Sequence, residues 1–173
     1  MPDLASYIRD VPDFPKPGIV FKDITTLLSD PAALDLALSI LTEPYLTAGV
    51  SKVVGIESRG FIFGAPLARS LGAGFVPIRK PGKLPAKTIS VSYELEYGQD
   101  TIQMHEDAVE KNERVLLVDD LLATGGTMVA ACELVGSRQA EIVGIAFLIE
   151  LDFLNGREKL GSHEIFSAIR YDA

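Results

Sequence analysis

Between residues 115 and 118 the chain reads Val-Leu-Leu-Val without a polar break, and the pattern on either side of this run organises the whole sequence. A continuous apolar run predicts a central parallel strand covered on both faces, here over residues 113–119. Similar runs predict strands over 52–56, 74–78 and 141–148. Between them the apolar positions change to helical spacing. Asp30 followed by Pro31 reads as an amino cap with proline at the first helical position. Leu34, Ala37, Leu38, Leu41 and Leu46 then recur at roughly helical spacing, and Pro44 bends or ends that helix. Further helices are expected over 64–71 and 127–137. Residues 89–97 alternate loosely until Gly98 breaks the pattern, as in a long hairpin or a mobile flap. Strands alternating with helices predict an α/β fold, a doubly wound, mostly parallel sheet with right-handed crossovers.

Composition narrows the class. A chain of 173 residues with 47% hydrophobic content buries a proper core, and no linker or charge block divides it, so a single domain over 1–173 is expected. The net charge of −8 excludes a general binder of nucleic-acid backbones, which needs clustered Lys and Arg. The amino-terminal residues lack a basic segment followed by an apolar one, and no stretch is apolar long enough to span a bilayer. A soluble, cytoplasmic protein with no membrane partner is the expectation. Cys132 is the sole cysteine, so no internal disulfide forms, and its place in a helical pattern points to packing.

The chemistry concentrates at strand ends. Asp119 and Asp120 fall at the carboxyl end of the central strand, where open α/β sheets place their ligand crevice. Ala123, Thr124, Gly125, Gly126 and Thr127 follow, opening a helix. The glycines let backbone approach a ligand, the amides of a helix amino terminus attract an anion, and the two threonine hydroxyls add donors. Two carboxylates beside an anion site suit a sugar phosphate, with the acids accepting from neighbouring hydroxyls. The turn contains no Gly-Lys-Ser/Thr and no Gly-x-Gly-x-x-Gly, so neither a P-loop nor a dinucleotide site is supported. Glu57, Ser58 and Arg59 lie at the end of the 52–56 strand, and the Arg59 guanidinium can grip phosphate oxygens in a fork unless it merely pairs with Glu57. Arg79, Lys80 and Lys83 form a basic cluster after the 74–78 strand, able to neutralise a pyrophosphate.

The segment VLLVDDLLATGGTM resembles the phosphoribosyl pyrophosphate signature of the type I phosphoribosyltransferases. With DFPKPGIVFKDIT, SRGFIFG, RKPGKLP and YELEYG, the likeness covers nearly the whole chain and is to the members of that family that act on adenine. The resemblance implies a small amino-terminal hood, a flexible flap and a homodimer. It implies that Asp119 and Asp120 engage the ribose hydroxyls, that residues 123–127 wrap the 5-phosphate, and that the Ser58–Arg59 loop, with Arg79, Lys80 and Lys83, meets pyrophosphate. Val20, Phe21 and Lys22 would form the base pocket, Phe21 stacking on the purine while backbone at Val20 and Lys22 reads its edge. Glu96 would be the acid or base at adenine N7, with Tyr97 helping to close the lid. The implied reaction is adenine plus 5-phosphoribosyl 1-pyrophosphate to AMP plus pyrophosphate, with Mg²⁺ held mainly by substrate and water. Two other readings share the phosphate motif: a transferase for another base, and a non-catalytic binder that controls nucleic acid. The latter would carry a basic winged-helix segment, which this acidic sequence lacks. His105 and His163 match no motif.

Overall fold

A computed structural model describes residues 3–95 and 97–173. The chain forms two compact units, Met1–Ile40 and Leu41–Ala173. The first opens with a one-turn 3-10 helix, Leu4–Tyr7, and an antiparallel pair of short strands, β1 (Arg9–Pro12) and β2 (Val20–Asp23). Paired side chains secure this hairpin: Arg9 meets Asp23 at 2.6 Å and Lys22 meets Asp10 at 2.7 Å. Helix α1 (Thr25–Ser29) follows, then α2 (Pro31–Thr42), whose amino cap is Asp30 as expected, its carboxylate accepting from the Ala33 amide at 2.9 Å. Pro44 lies in a 3-10 turn, Glu43–Tyr45, just past the end of α2. Leu46 is therefore off the helix and 63% exposed, contrary to its expected place on the apolar face.

The second unit is built on five parallel strands in the order β4, β3, β7, β8, β9. Their ranges are β3 Lys52–Ile56, β4 Gly74–Ile78, β7 Arg114–Leu122, β8 Glu141–Leu151 and β9 Ile165–Tyr171. An antiparallel hairpin of β5 (Thr88–Glu94) and β6 (Gln99–His105) stands apart from that sheet. Helix α3 (Gly60–Leu71) packs on β3, β4 and β7, and α4 (Gly126–Ser137) packs on the hairpin, β7 and β8. The first sheet strand thus has the second on one side and the third on the other, the reversal of winding expected of a doubly wound fold.

The differences from the sequence expectation have local causes. β7 does not stop at Asp119: β8 pairs with it as far as Leu122 opposite Glu150, so the strand continues past both acids. β8 in turn runs to Leu151, three residues beyond the expected end, because β9 covers its other edge. Helix α3 begins at Gly60, not at residue 64, and carries Pro66 in its interior. It lies against β3, since a methyl on Gly64 would sit 3.4 Å from the Gly55 Cα, and one on Gly55 would sit 3.2 Å from the Gly60 carbonyl oxygen and 2.7 Å from the ring of Phe75 on β4. The hairpin is a packed element along most of its length, since Ile102 and Met104 are fully buried and Ile89, Val91 and Tyr93 pack on the same core. Between the two strands Leu95 and Tyr97 are exposed.

Close contact between α3 and β3 fixes where the residues after β3 emerge. Gly55→Ala should lower stability by about 1–3 kcal/mol, the usual cost of overpacking. Urea denaturation should show a lower midpoint at an unchanged slope. A wild-type midpoint would contradict the close contact.

Candidate active site

The crevice follows from strand pairing. β3 accompanies β7 only as far as Gly55 opposite Val118, and the next residue of β7 is Asp119. From that point one edge of β7 has β8 beside it and the other faces a cavity of about 440 Å³. Its walls include Glu57, Ser58, Arg59, Arg79, Lys80, Asp119, Asp120 and Thr127, so the structure brings the paired acids together with Arg59 and part of the basic cluster singled out in the sequence.

The two acids differ in environment. Asp120 is 5% exposed and meets the Arg59 Nε at 2.9 Å. Asp119 keeps a little surface toward the crevice, but its carboxyl is packed round by protein, with Phe147 opposite it on β8. Its Oδ1 accepts from the Asp120 amide at 2.8 Å. Burial first, and then the neighbouring Asp120 carboxylate, hold Asp119 well above the usual carboxylate range. Gly60 makes room for this arrangement: a methyl there would lie 3.0 Å from Asp119 Oδ1 and from the Val118 carbonyl.

Next to the acids, residues 123–127 enclose a smaller hollow of about 90 Å³. Gly125 caps α4 with φ +86°, a left-handed conformation that L side chains disfavour. The first amides of α4 have no partner within the helix and open onto this hollow, which is an anion site in form. Thr127 shares a hydrogen bond at 3.1 Å with the Tyr93 hydroxyl of β5, which also donates to Asp100 at 3.2 Å.

On the opposite wall the peptide bond between Glu57 and Ser58 is cis. The basic cluster is not a free patch. Glu57 accepts from Arg79 at 2.9 Å, the Lys80 amide at 2.8 Å and Lys83 at 2.7 Å. Lys80 pairs with Asp100. Burial works against the charge of Glu57, yet the Lys80 amide, Lys83 and Arg79 prevail and hold it at about 2. The Lys80 ammonium likewise holds Asp100 below its usual value. The Arg79 Nε is buried and has no hydrogen-bond partner among the described residues. Arg59 makes its ion pair with Asp120, not with Glu57, so the bland alternative for Arg59 is the wrong pairing.

Sequence reasoning gave no role to Asp100 or Tyr93 and did not see Glu57 as the counterion of the basic cluster. A signal existed for Glu57: β3 and β4 pair Ile56 with Ile78, which puts the next residues, Glu57 and Arg79, side by side. Asp100 becomes visible only through hairpin register, where it faces Tyr93. Val20, Phe21 and Lys22 lie in the amino-terminal unit on β2, where Phe14 meets Phe21 edge to face with centroids 5.2 Å apart. Tyr97 is 82% exposed, and Glu96 lies outside the described residues. Cys132 is half-buried, and burial pushes its thiol up to about 11, as fits a packing role. His105 accepts from the Ala86 amide at 3.2 Å, a contact that helps hold β6.

Among the described residues no three His, Cys, Asp or Glu side chains converge as a metal cage. The donors that line the crevice are hard carboxylate oxygens, which suit Mg²⁺. No helix among them is long and apolar enough to cross a membrane.

Residues 24–166 match the phosphoribosyl transferase domain. The adenine phosphoribosyltransferase of Koribacter versatilis is 56% identical over 169 residues, 98% of this chain and 93% of that one. The crystal structure of adenine phosphoribosyltransferase from Thermoanaerobacter pseudethanolicus superimposes with a TM-score of 0.94 at 50% identity, covering 97% of this chain and 98% of that chain. The Saccharomyces cerevisiae enzyme, solved with adenine and an imino-altritol bisphosphate, is 39% identical with a TM-score of 0.90, covering 95% and 96% of the two chains.

In the unfolded chain Asp119 ionises near its ordinary 3.8, whereas the folded chain holds the proton to higher pH. Stability therefore falls as pH rises from the unfolded value toward the folded one and is fully lowered beyond it. Asp119→Asn should remove that cost and raise the melting temperature at pH 7.5, while kcat/KM drops by more than about tenfold. An unchanged or lower melting temperature with full activity would contradict this reading of the carboxyl.

Proposed function

The chain belongs to the phosphoribosyltransferase family, and from that premise we infer that it joins adenine to the phosphoribosyl group of 5-phosphoribosyl 1-pyrophosphate, releasing AMP and pyrophosphate. This is a purine-salvage reaction. The observation that carries the reading is the meeting, at one end of β7, of the paired acids Asp119 and Asp120 with the left-handed Gly125 turn and Arg59.

Adenine N9 attacks C1 of the ribose and the bond to pyrophosphate breaks, so positive charge develops on the sugar. The protein's contribution is positioning and electrostatics. Residues 123–127 hold the 5-phosphate against the start of α4. Asp119 and Asp120 accept from the ribose 2- and 3-hydroxyls, and the Asp120 charge opposes the cation that forms beside it. Ser58, Arg59, Arg79, Lys80 and Lys83 receive the pyrophosphate. On its arrival Arg79 and Lys83 exchange part of their contact with Glu57 for phosphate oxygens, and Lys80 does the same with Asp100. Mg²⁺ would be held mainly by substrate oxygens and water, with the Asp119 and Asp120 carboxylates at hand, and would supply neutralisation of charge on the leaving group.

Base recognition is assigned by family resemblance to Val20, Phe21 and Lys22. Phe21 stacks on the purine, the Val20 carbonyl accepts from the exocyclic amine and the Lys22 amide donates to N1. Glu96 is assigned, on the same ground alone, as the acid or base at N7, with Tyr97 beside it at the exposed hairpin tip. A homodimeric assembly, a place in the cytoplasm and service of the whole chain as one catalytic domain belong to the same proposal.

A carbonyl facing position 6 accepts from an amine and repels another carbonyl. Adenine should therefore outcompete hypoxanthine by at least about a hundredfold, since a mismatched buried polar group is costly. Competition assays with labelled bases, phosphoribosyl pyrophosphate and Mg²⁺ measure this ratio. Comparable turnover of the two bases would overturn the assignment of the base.

A further inference from the structure

Behind the 123–127 loop lies an ion pair with a buried carboxylate and a half-buried guanidinium that no step of the reaction uses. Glu150 of β8 is 2% exposed, and Arg157 grips it with both prongs, Nε to Oε1 at 2.8 Å and Nη2 to Oε2 at 2.5 Å. Ser167 of β9 donates to Oε2 at 2.6 Å, and Arg157 Nη1 donates to the Ile165 carbonyl at 3.2 Å. Arg170 stands 3.8 Å from Glu150 and is itself held by Asp152 at 2.7 Å. Burial opposes the charge of Glu150, yet hydrogen bonds from Arg157 and Ser167 keep its pKa below the usual range. A planar guanidinium held this way has one position available to it.

The residue before Arg157 touches the loop directly. Gly156 is buried in a 3-10 turn, Gly156–Leu160, that packs on α4. A methyl on Gly156 would run into the Ala123 carbonyl and lie 3.0 Å from the Leu122 side chain, while one on Gly125 would lie 2.6 Å from the Gly156 carbonyl oxygen. Backbone meets backbone there with no side chain between. The position of Gly156 thus limits how far residues 123–125 can retreat.

We propose that Glu150 and Arg157 are positioning residues that fix the Gly156 backbone as the back wall of the 123–127 loop and so set its affinity for the 5-phosphate of the sugar. They touch no substrate. The proposal rests on the reading of residues 123–127 as the 5-phosphate site. It places the effect on one end of the substrate, because the pyrophosphate wall is held among the described residues by other pairs, Glu57 with Arg79, the Lys80 amide and Lys83, while the brace joins Glu150 to Arg157.

Binding of two separate probes by the full chain, measured calorimetrically, tests the idea. Arg157→Lys keeps a positive charge opposite Glu150 but loses the fork. It should weaken ribose 5-phosphate by about tenfold, the scale on which small misplacements act, and leave pyrophosphate within about twofold. Gly156→Ala, which pushes a methyl at the Ala123 carbonyl, should give the same split. KM for phosphoribosyl pyrophosphate should rise more than kcat falls. If Arg157→Lys gives no cooperative melting curve, the double change Glu150→Gln with Arg157→Met leaves no buried charge unpaired and should show the split instead. Equal weakening of both probes, or of neither, in a folded variant would overturn the proposal. Failure of the unaltered chain to bind ribose 5-phosphate would overturn the reading of the loop, and the proposal with it.

Discussion

Everything at this site depends on β7 losing one neighbour before it loses the other. Pairing with β3 ends at Gly55 opposite Val118, whereas pairing with β8 continues to Leu122 opposite Glu150. A parallel strand inside a sheet has both edges bonded and both faces covered, and offers a ligand nothing. Where the winding reverses, β3 turns away into α3 and one edge of β7 comes free, still held rigid by β8. Asp119 and Asp120 occupy the first two positions after the departure. Their carboxyls are thereby both buried and accessible from one side.

The cost of that placement is visible in the charges. Two adjacent carboxyls in a covered site cannot both ionise at their usual values, and Asp119 is the one held protonated to higher pH while Asp120 pairs with Arg59. Across the crevice the sign is opposite, with Arg79, Lys80 and Lys83 held in place by Glu57 and Asp100. Each cation already sits in a defined position, so an incoming pyrophosphate meets a formed surface. Replacement of carboxylate contacts by phosphate contacts then sets the net strength of binding, since each cation exchanges one anion for another.

The sequence made the centre of this arrangement legible because its chemistry is local. An unbroken apolar run, two acids and a Thr-Gly-Gly-Thr turn lie within fourteen consecutive residues from Val115 to Met128. Strands 52–56 and 74–78 were equally plain, since each reads as a short run dominated by apolar residues. The features that escaped depend on contacts between distant segments. β9 and the last residues of β8 exist because each covers the other's edge, and nothing in either segment alone announces it. The early start of α3 requires Gly60 to fit beneath Asp119, a contact across nearly sixty positions. The pairing of Glu57 with the basic cluster needed the strand register, and the brace of Glu150 with Arg157 needed the turn between them.

The account stands or falls on whether a sugar phosphate enters at the freed edge of β7. Amide chemical shifts of the isotope-labelled chain, followed by NMR as ribose 5-phosphate is added, report this directly. The largest changes should fall on Asp119, Asp120 and residues 123–127, with smaller ones at Ser58 and Arg59. Saturable binding that leaves the amides of 119–127 unmoved, with the shifts gathered elsewhere on the molecule, would contradict it.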